Sequence, residues 1–420
     1  MTNLTACPEG RLFFGNVVYS KLMEELMNYQ FDTIIDRRSS NSKKWTIYAD
    51  DVLPLWIADM DFATPEPILD AIRDKLSQGP LGYEQPTRDL YETVATRMYR
   101  LYGWKVEPEM IITVPGIASG FNAAAKAVCE PGEGILMQPP VYFPFLKVHE
   151  NQGLTRQYAP LLRVTNGNRL RYEIDFDIFK SSLGSDGART GMFLMSNPHN
   201  PTGNTFTREE LSRLVEICLQ GDVIICSDEI HSEILLDGAQ HIPLATLSAE
   251  IAARTITLVA PSKTFNTAGL FCGFAIITNP DLLKRFKIAC EKMTLHVNSL
   301  GQAAAVTAFS GICDDWLREA LEYLTANRDF VIEYINHHMP EIRTTVPDAT
   351  FLMWLDCNIL VESGRIPDSP CEFFLKEAKV GLNNGADFGP GGENFVRLNI
   401  ACPRSILENA LDRMRTALET

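Results

Sequence analysis

The sequence predicts an α/β protein, with helices on both faces of a mostly parallel sheet, and a smaller α+β domain. Short apolar runs alternate with longer segments whose apolar residues recur at helical spacing. The short runs are almost wholly apolar, as expected for strands buried on both faces of a parallel sheet. The chain has 420 residues, and at roughly 150 residues per domain this length suggests two or three domains.

Helices are predicted where apolar residues at helical spacing follow a proline or polar start. Pro65 opens the first of them, and Gly103 ends the second. The ranges expected to be helical are 65–76, 89–102, 120–128, 208–219 and, as a longer region, about 281–339. An amphipathic stretch over 21–28 is a further candidate for a short helix.

The strands expected in the parallel sheet are 110–114, 134–138, 191–195, 222–226 and 255–259. Two more, at 350–355 and 394–399, follow the long helical region and indicate a second domain. We therefore expect an N-terminal extension (1–30), a large domain (64–300) and a small domain assembled from 31–63 and 301–420.

Charge and cysteine content narrow the classes of function. The net charge is −15, which argues against nucleic acid or an anionic membrane as the main partner. No apolar run approaches the roughly 18–20 residues that span a bilayer, and the N-terminus does not resemble a signal peptide. Ten cysteines without a C-x-x-C pair predict reduced thiols in a cytoplasmic protein, without a disulfide framework or a metal site.

Four predicted strands run directly into polar or glycine-containing loops. Lys263 follows one strand, Asp228 a second, Asn200 a third, and the loop 115–120 a fourth. A lysine buried at a strand end tends to lose its charge, and a neutral amine is what Schiff-base chemistry requires. A carboxylate can hold a pyridine ring protonated, and a glycine loop before a helix can bind a phosphate.

Each of these motifs alone has an ordinary structural explanation. Lys263 could be a solvated loop residue, Asp228 a helix cap and Asn200 part of a rigid turn. Loops such as 115–120 also join many strands to helices. Their co-occurrence is more informative, because the carboxyl ends of parallel strands meet at one edge of the sheet, where ligands bind.

The motifs SNPHNPTG, SDEIH and PSKTFN, in that order and spacing, resemble those of fold-type-I enzymes that depend on pyridoxal 5′-phosphate (PLP), the class I/II aminotransferase superfamily. The resemblance extends from about Phe31 to the C-terminus and implies a seven-stranded sheet. LPLWIADMDF, QPPVYFPF, APSKTFNTAGL and VRLNIACPR resemble a narrower branch, the MalY/PatB-type cystathionine β-lyases or C–S lyases. Residues 1–30 have no counterpart in that pattern.

The resemblance implies roles for the residues around the cofactor ring. Lys263 would hold PLP as a Schiff base and later move the Cα proton. Asp228 would pair with the pyridine nitrogen, and Asn200 would bond the phenolate oxygen. Tyr142 would stack on the ring, although its pattern also fits a core aromatic residue. His231 stands where ordinary aminotransferases have tyrosine.

The resemblance also implies contacts to the phosphate and to the substrate. The phosphate would be bound by Gly116, Ile117, Ala118 and Ser262, and by Tyr83 of the neighbouring subunit, which makes the protein a homodimer with shared active sites. Phe271 occupies a position where aminotransferases often have a phosphate-binding arginine. The substrate would be bound by Arg397, which grips its α-carboxylate, and by Ala58 and Asp59.

These features imply a PLP-dependent α,β-elimination that cleaves L-cystathionine or a related sulfur amino acid to a thiol, pyruvate and ammonia. His231 and Phe271 fit the C–S lyase branch. Transamination between an amino acid and a 2-oxo acid is the alternative, since both reactions begin by removing the Cα proton. A third possibility is a regulatory protein that binds a partner through this fold. The intact Lys263 argues against regulation as the protein's only role.

Overall fold

The computed structural model describes residues 29–367 and 369–419. Several of its helices begin at polar caps or prolines, as at Thr207, which forms a capping box with Glu210. In chain order the helices are α1 (Lys43–Thr46), α2 (Glu66–Ser77), α3 (Arg88–Tyr102), α4 (Ile117–Val128), α5 (Val148–Gln152), α6 (Phe176–Ser182), α7 (Arg208–Gln220), α8 (Ala249–Ala252), α9 (Pro261–Thr264), α10 (Pro280–Lys292), α11 (Ser299–Ser310), α12 (Asp314–His338), α13 (Asn358–Glu362), α14 (Pro370–Phe373) and α15 (Arg404–Glu419).

The strands are mostly short apolar segments that form two large sheets and one two-stranded ladder. In chain order they are β1 (Leu53–Pro54), β2 (Ile111–Val114), β3 (Gly134–Met137), β4 (Thr155–Tyr158), β5 (Leu162–Asn166), β6 (Arg169–Glu173), β7 (Thr190–Ser196), β8 (Ile224–Asp228), β9 (Thr255–Val259), β10 (Gly273–Ile276), β11 (Arg343–Thr345), β12 (Leu352–Asp356), β13 (Val380–Gly381), β14 (Asn383–Asn384) and β15 (Phe395–Asn399).

The larger sheet has seven strands in the order β2-β10-β9-β8-β7-β3-β4. Neighbouring strands are parallel except at β10, which runs antiparallel to both β2 and β9. Every residue of β7 and of β9 is buried. The predicted seven-stranded, mostly parallel sheet is confirmed. Since β2, β7, β8 and β9 point the same way, the loops that follow them meet at one edge.

The predicted strands lie within two residues of those observed. One helix was placed too late: α4 begins at Ile117, whereas the sequence suggested a start at Gly120. The chain turns at Gly116, whose φ of 86° favours glycine, so the helix starts directly after it. Two further strands of this sheet, β4 and β10, were not predicted.

The second sheet has six strands in the order β14-β15-β12-β11-β6-β5. Its hairpin of β5 and β6 lies within the range assigned to the large domain, yet β6 pairs in parallel with β11 of the C-terminal part. The N-terminal strand β1 pairs with β13, which ties the segment after residue 31 to the C-terminal part. The domain boundaries themselves stay a prediction.

Two predictions concern the chain's termini and membranes. The helix expected over 21–28 lies outside the described residues. Among the residues that are described, no helix is both long enough and apolar enough to cross a bilayer.

Candidate active site

The loops after β2, β7, β8 and β9 surround a cavity of about 400 Å³, here called the inner cavity. It brings together every predicted site residue except Asp59 and Tyr83. The predicted residues that line it are Ala58, Gly116, Ile117, Ala118, Tyr142, Asn200, Asp228, His231, Ser262, Lys263 and Arg397. Residues that lie up to 339 positions apart in the chain are thus gathered at one edge of the sheet.

Asp228 is the last residue of β8 and is buried. Its carboxylate accepts a hydrogen bond from the backbone amide of Ile230 at 3.1 Å but forms no ion pair within the described part of the chain. Burial raises the pKa of this carboxyl group to about 7, because a buried charge without a counter-ion is costly. A protonated ring nitrogen would supply the missing cation, so Asp228 fits PLP.

Lys263 lies on α9, directly after β9, and its Nζ donates a hydrogen bond to the Ala58 carbonyl at 2.7 Å. Burial lowers the pKa of this amine to about 8, although nearby Asp59 opposes that shift. A larger fraction of the amine is therefore neutral at pH 7–8 than for an exposed lysine. A neutral amine can react with an aldehyde and can accept a proton, as the lysine of a PLP enzyme must.

Arg397 lies on β15 and is buried. One guanidinium nitrogen donates to Asn200 Oδ1 at 2.8 Å, and another donates to Asn383 Oδ1 and, at 3.1 Å, to the Trp56 carbonyl. Its Nε has no hydrogen-bond partner, and no carboxylate of residues 29–367 or 369–419 pairs with it. Burial lowers the pKa of the guanidinium to about 10. A substrate carboxylate would supply the missing counter-ion.

Two of these Arg397 partners, Asn383 and Trp56, were not identified from the sequence. Asn383 lies directly opposite Arg397 in the ladder of β14 and β15, a pairing between strands that no local motif reveals. Asn200 was identified, but for the cofactor alone. Because its Oδ1 accepts from Arg397, its amide nitrogen is left to donate towards a ligand in the cavity.

The phosphate-type loop leads into the N-terminus of α4, a helix of 12 residues. Gly116 makes the turn, so the amides of Ile117 and Ala118 begin the helix beside the cavity. The hydroxyl-bearing residues Ser119 and Ser262 line the same region. A helix N-terminus with free amides and nearby hydroxyl groups is a donor set suited to a phosphate, so this part of the cavity also fits PLP.

One wall of the cavity is a backbone segment, residues 56–62, here called the strap. Asn399 donates to the carbonyls of Ile57 at 2.7 Å and of Asp59 at 2.9 Å. Asn266 donates to the carbonyls of Met60 at 3.2 Å and of Phe62 at 2.8 Å. The strap is therefore held in place by side chains, and its Ala58 carbonyl is fixed where Lys263 reaches it.

A cluster of charges lies behind the strap. Asp61 pairs with Lys44 at 2.7 Å and with Arg37 at 3.0 Å, and it also accepts from the indole nitrogen of Trp45 at 2.8 Å. Lys44 is fully buried. Asp59 pairs with Arg37 at 2.7 Å and lines a neighbouring cavity of about 620 Å³, here called the outer cavity. Asp59, which was predicted to contact the substrate, is thus paired with Arg37.

His231 and Tyr83 differ in how they relate to the inner cavity. His231 is buried, and burial lowers the pKa of its imidazole to about 3, so it is neutral near pH 7. Its Nδ1 has no hydrogen-bond partner in the part of the chain that is described. Tyr83 is fully exposed and lines a separate cavity, so within one chain it takes no part in the site.

The fold and this cavity define a fold-type-I enzyme of the PLP-dependent class, with a lysine, an aspartate and a phosphate-type loop at the carboxyl edge of the seven-stranded sheet. Residues 50–414 match the family model for class I and II aminotransferases. The chain belongs to that family, as the sequence motifs indicated.

Named relatives agree with the narrower resemblance. The chain is 38% identical to cystathionine beta-lyase PatB of Bacillus subtilis, over 92% of this chain and 99% of that protein. The structure of cystalysin from Treponema denticola, which contains PLP, has a TM-score of 0.86 at 30% identity and covers 94% of this chain and 99% of that one. A PLP-bound C–S lyase from Staphylococcus hominis has a TM-score of 0.86 at 32% identity, covering 93% and 99%.

Proposed function

We propose that this protein is a PLP-dependent C–S β-lyase that acts on L-cystathionine or a related S-substituted L-cysteine. With uptake of one water, the reaction releases a thiol, pyruvate and ammonia. The observation that carries the proposal is the inner cavity, where the partly buried Lys263 lies beside the buried Asp228 and Arg397, and these two charged groups lack counter-ions among the described residues. PLP and an amino acid supply both missing charges.

Arg397 binds the substrate's α-carboxylate and fixes its orientation. Asn383, Asn200 and the Trp56 carbonyl accept three of its donor positions, which holds the planar guanidinium in one orientation. The guanidinium also lies over the Phe388 ring, 4.9 Å from its centroid, which adds a cation–π contact. A substrate bound by a fixed arginine presents its Cα hydrogen in one direction only.

Lys263 accepts the Cα proton on Nζ. Its lowered pKa keeps a useful fraction of the amine unprotonated at neutral pH. When bound, PLP supplies an electron sink that stabilises the charge left at Cα. Asp228 would hold a proton on the ring nitrogen of bound PLP, because its own ionised carboxylate lacks a cationic partner in the described part of the chain. The thiolate then leaves from Cβ, and its departure completes the elimination.

The remaining inner-cavity residues hold the cofactor. The amides after Gly116 and the hydroxyl of Ser262 would bind the phosphate, and Tyr142 would pack against the ring. Asn200, whose Oδ1 accepts from Arg397, would donate its amide hydrogen to the phenolate oxygen. His231, being neutral, adds no charge beside Asp228. Ala58 holds the amine of Lys263 through its carbonyl whenever that amine is not bonded to the cofactor.

The enzyme acts as a homodimer, with Tyr83 completing the phosphate site of the other subunit. Exposed apolar side chains support this arrangement: Leu81 and Tyr83 project from one loop, and Phe271 is 61% exposed at the cavity. Leu81 and Tyr83 present exposed apolar surface on one loop, the kind of surface that an interface covers.

A cytoplasmic location is supported by the cysteines. The nine in the described residues are free thiols, and seven of them are buried. The substrate is a small molecule, and the net charge of −15 is unfavourable for binding nucleic acid or an anionic membrane.

The experiment that tests the proposed function supplies L-cystathionine without any 2-oxo acid. Pyruvate, followed with lactate dehydrogenase, and free thiol, followed with a thiol reagent, should appear in equal amounts over many turnovers. An aminotransferase would stop after about one equivalent per site and resume only when a 2-oxo acid is added. That result would identify the protein as an aminotransferase instead of a lyase, because transamination uses the same residues up to removal of the Cα proton.

A further inference from the structure

The inner and outer cavities share part of their walls. Ala58, Lys263 and Phe271 line both, and so does Lys43. The inner cavity, at about 400 Å³, lies near the lower end of the roughly 300–1,000 Å³ typical of small-molecule sites. Since it must hold both PLP and the amino-acid part of the substrate, a long substituent on sulfur has to continue past these shared residues into the outer cavity.

Lys43 is the cation at this junction that no other group engages. Of the other cations in the outer cavity, Arg37 pairs with Asp59 and Asp61, and Lys44 is buried against Asp61. Lys263 donates to the Ala58 carbonyl. Lys43 is exposed and forms no ion pair with any residue in 29–367 or 369–419.

Lys43, Lys263 and Arg397 are the cations among the described residues that line the inner cavity, and each is expected to contact a different part of the substrate. Arg397 is buried and serves the α-carboxylate, and the partly buried Lys263 serves the reacting carbon. Lys43 lines both cavities, as Lys263 does, but its side chain is exposed and is not engaged by the strap. With the α-carboxylate assigned to Arg397 and the reacting carbon to Lys263, a group carried on the sulfur substituent is left for Lys43.

We infer that Lys43 is a specificity-determining residue that binds a carboxylate at the distal end of the sulfur substituent. The inference rests on the proposed function and narrows its substrate class to S-substituted cysteines with an anionic or zwitterionic tail. L-Cystathionine, whose tail is an α-amino acid, belongs to that class. Asp36 lines the same outer cavity, with its carboxylate held by the backbone amides of Arg38 and Ser39, and it faces the ammonium group of such a tail.

The test compares two substrates that differ only in distal charge. S-(2-Carboxyethyl)-L-cysteine carries a carboxylate, and S-(2-carbamoylethyl)-L-cysteine carries an amide of the same shape. Lys43→Met should lower kcat/KM for the carboxylate about 3- to 10-fold, as expected for a partly exposed ion pair, and leave the amide unchanged. The difference should shrink as salt is added, because the pair is screened. Lys180, which is exposed and lines neither cavity, supplies the control variant Lys180→Met.

A charge reversal sharpens the test. Lys43→Glu should favour S-(2-aminoethyl)-L-cysteine over the carboxylate substrate, the opposite of the parent enzyme. Equal losses on both substrates with Lys43→Met, or no loss on either, would overturn the inference. Loss of bound PLP in that variant would also overturn it, since Lys43 would then serve the cofactor.

A binding measurement separates this inference from the proposed function. L-2-Aminopimelate has a methylene in place of sulfur and cannot undergo elimination, so its dissociation constant can be read from the absorbance of the bound cofactor. Lys43→Met should weaken L-2-aminopimelate about 3- to 10-fold and leave its ω-amide unaffected. If the enzyme eliminates neither cysteine derivative yet shows this difference, the proposed reaction fails while the role of Lys43 stands.

Discussion

Arg397 and Asp228 carry opposite charges into one cavity, yet neither has a counter-ion within the described residues. The two side chains differ in how many hydrogen-bond partners they have. Arg397 has its amide and carbonyl partners but an unpartnered Nε, whereas Asp228 has a single backbone donor. Burying such groups costs stability unless a ligand pairs with them. The burial of both residues therefore indicates a ligand that supplies the two missing charges.

For Arg397, we predict that replacement by alanine weakens use of the substrate while PLP stays bound. Loss of a charged, two-pronged contact should cost about 2–4 kcal/mol, which corresponds to about a 30- to 1000-fold fall in kcat/KM. The control is an amine that lacks the α-carboxylate. If Arg397→Ala loses as much activity on that amine, the arginine has another role.

For Asp228, we predict opposite effects on the apoprotein and on the active enzyme. The folded-state pKa is raised to about 7, against 3.8 for the unfolded chain. Ionising the group therefore destabilises the fold progressively as pH rises from about 4 to 7. Asp228→Asn removes that penalty, roughly 2–4 kcal/mol at pH 7–8, and its amide oxygen can still accept from Ile230.

The measurement is thermal unfolding of the apoproteins at several pH values. The Asp228→Asn apoprotein should unfold at a higher temperature than the parent at pH 8, with the difference vanishing near pH 4. The PLP-loaded variant should lose most of its activity, because an amide cannot hold the ring nitrogen protonated. A variant that is no more stable at pH 8 would show that the carboxylate is already compensated in the apoprotein.

At the scale of elements, the strap over residues 56–62 links the two halves of the site. It receives hydrogen bonds from Asn399, the last residue of β15, and from Asn266, which follows α9. Arg397 donates to its first carbonyl. The strap itself contains no helix or strand, so its shape depends on these side chains and on the charge cluster behind it.

Within that cluster we predict that Asp61 matters more than either cation. Asp61→Asn leaves Lys44 buried without its counter-ion, and breaking a buried pair in this way typically costs about 3–5 kcal/mol. Lys44→Met should cost less, because Asp61 keeps Arg37 and the Trp45 indole as partners. Urea unfolding of the two single variants and the double variant gives the comparison. A larger cost for Lys44→Met would mean that Arg37 does not compensate the carboxylate.

At the scale of the whole molecule, one predicted site residue has no place within a single chain. Tyr83 is fully exposed on the loop between α2 and α3, beside a cavity of about 840 Å³ that includes His296 and Leu300. A second copy of the chain covering this region would place Tyr83 in another environment, as the family resemblance implies.

We predict that a Tyr83→Phe subunit and a Lys263→Ala subunit regain activity when they are mixed. In a mixed dimer with shared sites, one site carries both lesions and the other carries neither, so activity should recover in part. The measurement is elimination activity after subunit exchange has been shown by a tag on one partner. Exchange without any recovery would contradict the shared site.

The sequence by itself determined the class of fold and most of the site. Apolar runs fixed the buried strands to within two residues, since burial on both faces of a sheet leaves a local signal that needs no tertiary information. The residues at the strand ends, Lys263, Asp228 and Asn200, were found for the same reason, because parallel strands bring their carboxyl ends together.

Tertiary structure alone decided the rest, because contacts between segments distant in sequence leave no local pattern. Asn383 reaches Arg397 through strand pairing, and the hairpin of β5 and β6 joins the sheet of the C-terminal part through β11. Lys43 stands where two cavities meet, a position that depends on how the strap folds over Lys263. Which groups remain without a counter-ion is likewise a property of the folded chain, and those groups indicate what the site binds.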